Sequence, residues 1–172
     1  MENKQLRIQN RIGNDILEFR QHQKTLQLAT LSHDGCPHVS YTPFVYLPDG
    51  YYILISDIAK HGQNIKNHQQ VSIMMIEDEQ DSKSIYARKR LSFDTKANLV
   101  PRESDSWLMA ISALEQRFGE IVSNLSKLGD FHMYQLTPEK GRFVKGFGKA
   151  FDISGSDKVD IVHLDGGHIN NK

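Results

Sequence analysis

The chain has 172 residues, which is enough for one compact domain with a hydrophobic core and short for two. Lysine and arginine together number 21, and aspartate and glutamate also number 21, so the formal net charge is zero. That balance gives no general attraction to nucleic acid or to an acidic membrane surface. An anionic ligand would have to be held by a local cluster of basic residues.

The cysteine content and the hydropathy pattern predict a cytoplasmic protein. Cys36 is the only cysteine, so no disulfide can form within the chain, as is usual in a reducing compartment. The first residues lack the unbroken apolar run of a signal peptide, and no stretch approaches the roughly 20 apolar residues that cross a membrane. We therefore expect neither a membrane nor a nucleic acid as a partner.

The first half of the chain predicts a helix followed by a meander of strands. Four apolar residues at helical spacing predict an N-terminal helix of about four turns: Ile8, Ile12, Ile16 and Phe19. Turn signals that contain Asp-Gly then separate strand-like runs at 25–32, 39–46 and 51–56. A short, mostly polar helix within 58–68 precedes a buried strand at 71–76.

The middle of the chain predicts another strand and two helices. Alternation over 85–93 predicts a strand that places Arg88 and Arg90 on one face, so that their guanidinium groups project together. From 104 to 128 the apolar residues follow a helical repeat that is interrupted at Gly119. That pattern fits two helices or one bent helix.

A closing hairpin completes the predicted elements. Its strands are expected at 131–137 and 143–153 with a turn at 138–141, so Gly146 and Gly148 fall within the second strand. Together the elements predict an α+β fold, a mostly antiparallel barrel of about six strands with flanking helices. We expect a single domain over 1–154, with 155–172 as its C-terminal arm.

The arm carries the first candidate for chemistry. His168 follows a Gly-Gly pair that permits a turn, and neutral imidazole is the usual protein ligand of heme iron. The plain alternative is a solvated histidine. Asp130 either caps a turn before a strand or accepts the second N–H of an axial imidazole, which fixes its tautomer and raises its basicity.

Basic residues and one further histidine complete the candidate set. Arg88, Lys89 and Arg90 form a compact cluster whose guanidinium forks suit a carboxylate of heme or a phosphate of flavin mononucleotide. The alternative is an exposed strand paired with the acidic loop at 77–81. His61 is equally read as an exposed helix residue. The full sequence contains no tight zinc-ligand spacing.

Several segments in order along the chain resemble the HutZ-type heme-utilisation proteins, a branch of the flavin mononucleotide-binding split-barrel superfamily related to pyridoxamine phosphate oxidase. The resemblance spans nearly the whole chain. It is carried by EFRQ at 18–21, KTLQLAT at 24–30, VSY at 39–41, VSIMMIED at 71–78, ARKRL at 87–91, RFGEI at 117–121, FVKGFG at 143–148, VHL at 162–164 and Gly167-His168.

The resemblance implies a homodimer of split barrels with heme at or near the subunit interface. It implies that His168 is the axial iron ligand and that Asp130 is the carboxylate hydrogen-bonded to it, with His61 close by. Arg90 of the Ala-Arg-Lys-Arg motif corresponds to a basic residue at the heme pocket, and we add Arg88 to the same binding set.

The implied activity is that of a heme-degrading oxygenase that frees iron. Heme is then cofactor and substrate together, and the partners are an external electron donor or reductase and a heme-delivery protein. Two alternatives remain open. One is an oxidoreductase dependent on flavin mononucleotide, and the other is a heme carrier or storage protein without turnover.

Overall fold

The computed structural model describes residues 2–155 and 159–160, so His163 and His168 lie outside the described residues. The helices are α1 Glu2–His22, α2 Lys60–Asn67, α3 Asp105–Phe118 and α4 Ile121–Ser126. The strands are β1 Thr25–Leu31, β2 Pro37–Pro43, β3 Val45–Leu47, β4 Gly50–Ser56, β5 Gln70–Ile76, β6 Arg90–Val100, β7 Phe131–Gly146, β8 Lys149–Ser154 and β9 Val159–Asp160. Among the described residues, no helix combines the length and the apolar content that crossing a membrane requires.

The strands form one sheet in the order β2-β1-β5-β6-β7-β4-β3, with β8 paired to β7 and β9 paired to β8. The β1–β2, β3–β4, β4–β7, β7–β8 and β8–β9 pairs are antiparallel. The predicted α+β class with a mostly antiparallel sheet is therefore confirmed. The described residues contain nine strands rather than about six, because the run at 39–46 divides at Phe44 and β9 adds to the edge of β8.

The described residues group into two compact units. One unit consists of Lys24–Ile73 and Asp94–Pro138. Its core includes Tyr52, Trp107 and Met133, which are at most 5% exposed. The other unit takes its described residues from the stretches 2–23, 74–93 and 139–160.

The predicted N-terminal helix is present and longer than four turns, with 21 residues in α1. Three of its predicted apolar residues are buried: Ile12, Ile16 and Phe19. Phe19 packs against Phe143 within the same unit, with ring centroids 5.9 Å apart at a tilt of 50°. The helical repeat in the sequence therefore corresponds to a real buried face.

The strand predicted at 85–93 is wrong in its first half. Ile85–Ala87 forms a single 3-10 turn, and β6 begins only at Arg90 and continues to Val100. Arg88 therefore lies before the strand. It cannot share a strand face with Arg90, and the predicted joint projection of the two guanidinium groups is not observed.

The closing hairpin is also arranged differently from the prediction. β7 runs unbroken through Pro138 and Gly141, and the chain reverses at Gly146–Gly148, where both glycines have positive φ. Pro138 is tolerated because it lies between the register pairs with β4, which end at Leu136, and those with β8, which begin at Lys140.

Gly141 is explained by packing rather than by a turn. A Cβ at this position would lie 2.4 Å from Phe93 Cδ1 and 2.7 Å from the carbonyl oxygen of Ser92. The backbone of β7 thus passes directly over the Phe93 ring, and a side chain there would have to displace it. A glycine in a strand signals close approach as well as a bend, and the sequence alone did not distinguish the two.

Replacing Gly62 of α2 with alanine should destabilise the protein by about 1–3 kcal/mol, because the new Cβ would lie 2.2 Å from the carbonyl oxygen of Ser56. Gly13→Ala in α1 is the matched control, since no atom lies within 4 Å of its Cβ position. Gly13→Ala should leave the free energy of unfolding unchanged or raise it by up to about 1 kcal/mol, because alanine has the higher helix propensity. Urea denaturation measures both, and equal effects would contradict the packing argument.

Candidate functional site

The end of β4 and the start of β7 bring Asp130 to a defined place. The register pairs Ser56 with Phe131, and the N–H of Asp57 donates to the carbonyl of Asp130 at 2.8 Å. The Ser56 hydroxyl lies 2.5 Å from Oδ2 of Asp130. The Asp130 carboxylate is therefore held by a side-chain hydrogen bond 74 positions away in sequence, rather than serving only as a turn cap.

Asp57 forms the second polar centre of this junction. Its Oδ2 accepts a hydrogen bond from Lys66 Nζ, on α2, and lies 2.9 Å from His132 Nε2, on β7. Its Oδ1 is buried and has no hydrogen-bond partner among the described residues. The carboxylate ties helix and strand together at the point where the chain leaves β4.

His61 lies in the first turn of α2. Its Nδ1 is 2.9 Å from the Ser40 hydroxyl on β2, and its side chain is half-buried. Burial, with a smaller contribution from the charge of His38, lowers the pKa of His61 below the ordinary histidine value of 6.5. The imidazole is therefore held neutral at pH 7. It can accept a proton or a hydrogen bond, and it is not simply an exposed helix residue.

The start of α2 lies against the end of β4, the strand end that also holds Asp130. The neighbour of His61, Gly62, rests on the Ser56 carbonyl, and Ser56 in turn bonds Asp130. These two predicted site residues are 69 positions apart in the sequence. Gly62 and Asp130 both contact Ser56, whereas the His61 imidazole contacts Ser40 on β2.

A cavity of about 400 Å³ opens beside this junction. Its lining residues are Ile65, Lys66, Gln69, Ala97, Leu99, His132 and Tyr134. Leu99 is 59% exposed at this surface. Burial and the nearby Asp57 carboxylate raise the pKa of Tyr134, while Lys66 opposes them. The cavity therefore combines apolar walls with hydrogen-bonding groups, as small-molecule sites do.

The sequence patterns do not indicate Asp57, Lys66, His132 or Tyr134 as site residues. The sequence does contain a signal for His132 and Tyr134. Asp130, His132 and Tyr134 follow one another at steps of two in a predicted strand, which places them on one face. Nothing in the sequence indicated that Asp57 would lie opposite them.

The predicted arginine pair lies in the other unit. Arg88 Nε donates to the Glu77 carbonyl at 3.1 Å, a terminal nitrogen donates to the same oxygen, and Nη1 lies 3.4 Å from a Glu79 carboxylate oxygen. Arg90 Nη1 donates to the carbonyl of Arg88 at 3.1 Å. Arg88 is therefore paired with the acidic loop at 77–81, which is the alternative to ligand binding that the sequence left open.

The arm residue His168 is outside the described residues, so its role as a ligand stays a prediction. Within residues 2–155 and 159–160, no group of three or more His, Cys, Asp or Glu side chains is arranged to hold a metal ion. The structure places His61 and Asp130 of the predicted set in one unit, His61 against Ser40 and Asp130 against Ser56. It places Arg88 and Arg90 in the unit that does not contain them.

The chain is similar in sequence and fold to named proteins. The pyridoxamine 5'-phosphate oxidase family matches residues 12–145. Heme oxygenase HutZ of Vibrio cholerae is 54% identical over 165 residues, which cover 96% of this chain and 94% of the relative. The crystal structure of HutZ from Vibrio cholerae, which is described as a heme storage protein, matches with a TM-score of 0.75 at 49% identity. The match covers 77% of this chain and 94% of the HutZ chain. The crystal structure of Campylobacter jejuni ChuZ matches with a TM-score of 0.85 at 34% identity, over 95% of this chain and 67% of the ChuZ chain. The matches confirm the predicted split-barrel class.

His61→Gln should flatten the dependence of stability on pH. In the folded chain the pKa of His61 is lowered, so below about pH 6.5 the unfolded chain binds a proton that the folded chain resists. The free energy of unfolding of the parent protein should therefore fall as the pH drops from 7 to about 5. Urea denaturation across this range measures the slope.

The control for this prediction is His33→Gln, at an exposed residue in the turn between β1 and β2. It should leave the slope unchanged. An unchanged slope in His61→Gln would show that burial of this imidazole does not affect its protonation.

Proposed function

Because this chain belongs to the pyridoxamine 5'-phosphate oxidase family, and within it to the HutZ-type branch, we propose that it binds heme and degrades it oxidatively, opening the porphyrin and releasing iron. The observation that carries the proposal is the 54% identity to a heme oxygenase over 96% of the chain. Identity over nearly the whole chain supports the same ligand site, whereas a shared fold alone would not assign a function.

The described residues fit heme as a ligand. Asp130 offers a carboxylate with one oxygen engaged by Ser56, which suits the acceptance of an imidazole N–H by the other. The neutral imidazole of His61 lies on α2 of the same unit, and the cavity lined by Lys66 and His132 has apolar walls for a porphyrin edge. Heme, when bound, supplies both the iron that activates dioxygen and the ring that is opened.

Each predicted site residue has a proposed task in this function. His168 would hold the iron through its imidazole. Asp130 accepts the remaining imidazole N–H and so fixes the ring orientation. His61 holds or releases a proton near Asp130, with Nδ1 oriented by Ser40. Arg90 and Arg88 receive the heme carboxylates, for which Arg88 has to release Glu79.

The function also requires partners. We propose a second copy of the chain to complete the heme site, an external electron donor or reductase, and a heme-delivery protein, all in the cytoplasm. Two other functions have support. The description of the HutZ structure as a heme storage protein favours binding without turnover. The family match favours a flavin mononucleotide-dependent oxidoreductase.

Titration with ferric heme should give a Soret band typical of imidazole ligation. His168→Ala should abolish or shift this band and lower the heme affinity by more than about 100-fold, since even partners of a ligand contribute about 10–100-fold. His163→Ala, at a neighbouring histidine of the arm, is the matched control and should leave the band in place. Equal spectra for the two variants would reject His168 as the ligand.

Heme-loaded protein that receives a reductant and oxygen should lose the Soret band and release iron, which a ferrous chelator detects. Asp130→Asn should slow this loss by about 10–100-fold because the axial imidazole loses its carboxylate acceptor. Asp94→Asn, at an exposed aspartate that is also bonded by a serine, is the control. Heme that is reduced and reoxidised intact would identify a carrier, and stoichiometric flavin without heme affinity would favour the oxidoreductase.

A further inference from the structure

Ser56, a residue that the sequence did not select, holds the Asp130 carboxylate. Its hydroxyl oxygen accepts a hydrogen bond from the N–H of Ile58 at 3.1 Å and lies 2.5 Å from Asp130 Oδ2. Since the ionised carboxylate can only accept, the serine hydrogen is donated to Oδ2. A short O–H···O contact to a charged oxygen is the strong class of hydrogen bond.

Both ends of this hydrogen bond are fixed by backbone. Ser56 is the last residue of β4, paired with Phe131, and the next N–H along the chain, that of Asp57, donates to the Asp130 carbonyl at 2.8 Å. On its other side the Ser56 carbonyl is covered by Gly62 of α2 so closely that a Cβ there would lie 2.2 Å away. Ser56 has little freedom to move away from Asp130.

The loop after Ser56 is anchored independently. The Asp57 carboxylate accepts a hydrogen bond from Lys66 on α2 and lies 2.9 Å from His132 Nε2 on β7, and these contacts anchor the chain where β4 ends. The amide of Ile58, which orients the Ser56 hydroxyl, belongs to this anchored loop. The Ser56 hydroxyl is therefore oriented before a ligand binds. This removes most of the conformational-entropy cost of orienting the Asp130 carboxylate on binding.

We infer that Ser56 is the positioning residue of Asp130: its hydroxyl engages Oδ2 and so leaves Oδ1 as the oxygen that accepts the N–H of the axial imidazole. The inference rests on the proposed function, since it assigns a task to Asp130 toward bound heme. Ser56 does not touch the ligand. It acts through the direction and the charge of the carboxylate, which in turn set the basicity of the imidazole.

The test is the iron–imidazole stretching band of the ferrous heme-loaded protein, measured by resonance Raman spectroscopy, together with the heme affinity. Ser56→Ala should move the band toward its position in Asp130→Asn and lower the affinity about fivefold, the typical loss for one hydrogen bond. Ser56→Thr keeps the hydroxyl and should restore both. Ser56→Cys, close to serine in size but a weak donor, should behave as Ser56→Ala does and covers the case in which alanine impairs folding.

Two controls separate positioning from general structure. Ser72→Ala breaks a serine–aspartate hydrogen bond of 2.9 Å to Asp94 in the same unit and should leave the band unchanged. In the Asp130→Asn background, Ser56→Ala should have no further effect on the band, because it acts only through Asp130.

The outcomes distinguish this inference from the function on which it rests. A parent protein without an imidazole-type Soret band would overturn the proposed function itself. A normal parent band that shifts in Asp130→Asn but stays in place in both Ser56→Ala and Ser56→Cys would overturn the positioning role alone. A further band shift on adding Ser56→Ala to Asp130→Asn would also overturn it.

Discussion

The antiparallel pairing of β4 with β7 holds together the described part of the candidate site. It places Ser56 opposite Phe131, and the hydrogen bond from the Asp57 amide to the Asp130 carbonyl continues the ladder beyond the last paired residue. Side chains of a strand alternate between faces, so a register shift of one residue would turn the β7 residues around Asp130 to the other side of the sheet. The serine–aspartate hydrogen bond and the cluster around Asp57 both depend on this one register.

Besides Asp130, the junction contains a second carboxylate, that of Asp57, which Lys66 and His132 both approach. One oxygen of Asp57 accepts a hydrogen bond from Lys66 and lies 2.9 Å from His132 Nε2, while the other oxygen is buried without a partner among the described residues. A buried acceptor without a donor is costly, so the described contacts leave this oxygen unsatisfied. The neighbouring cavity has Lys66, His132 and Tyr134 in its wall, and the first two of these approach the same carboxylate.

The arginines illustrate a different use of charge. Arg88 directs its guanidinium to the carbonyl of Glu77 and the carboxylate of Glu79, and so closes the turn before β6 instead of pointing from a strand. A basic cluster in a sequence thus has two physical outcomes, ligand capture or the satisfaction of nearby carbonyls. In this chain Arg88 takes the second outcome, since two of its nitrogens donate to the Glu77 carbonyl.

The sequence alone determined the elements that have strong local signals. The helical repeat of Ile12, Ile16 and Phe19 and the alternation of the early strands each require one face to be buried, and the resemblance along the chain indicated Asp130 and His61. Local patterns did not reveal that Gly141 lies under Phe93 or that Ser56 would meet Asp130. Those contacts join residues tens of positions apart, and only the strand register and the packing of α2, which are properties of the folded chain, bring them within bonding distance.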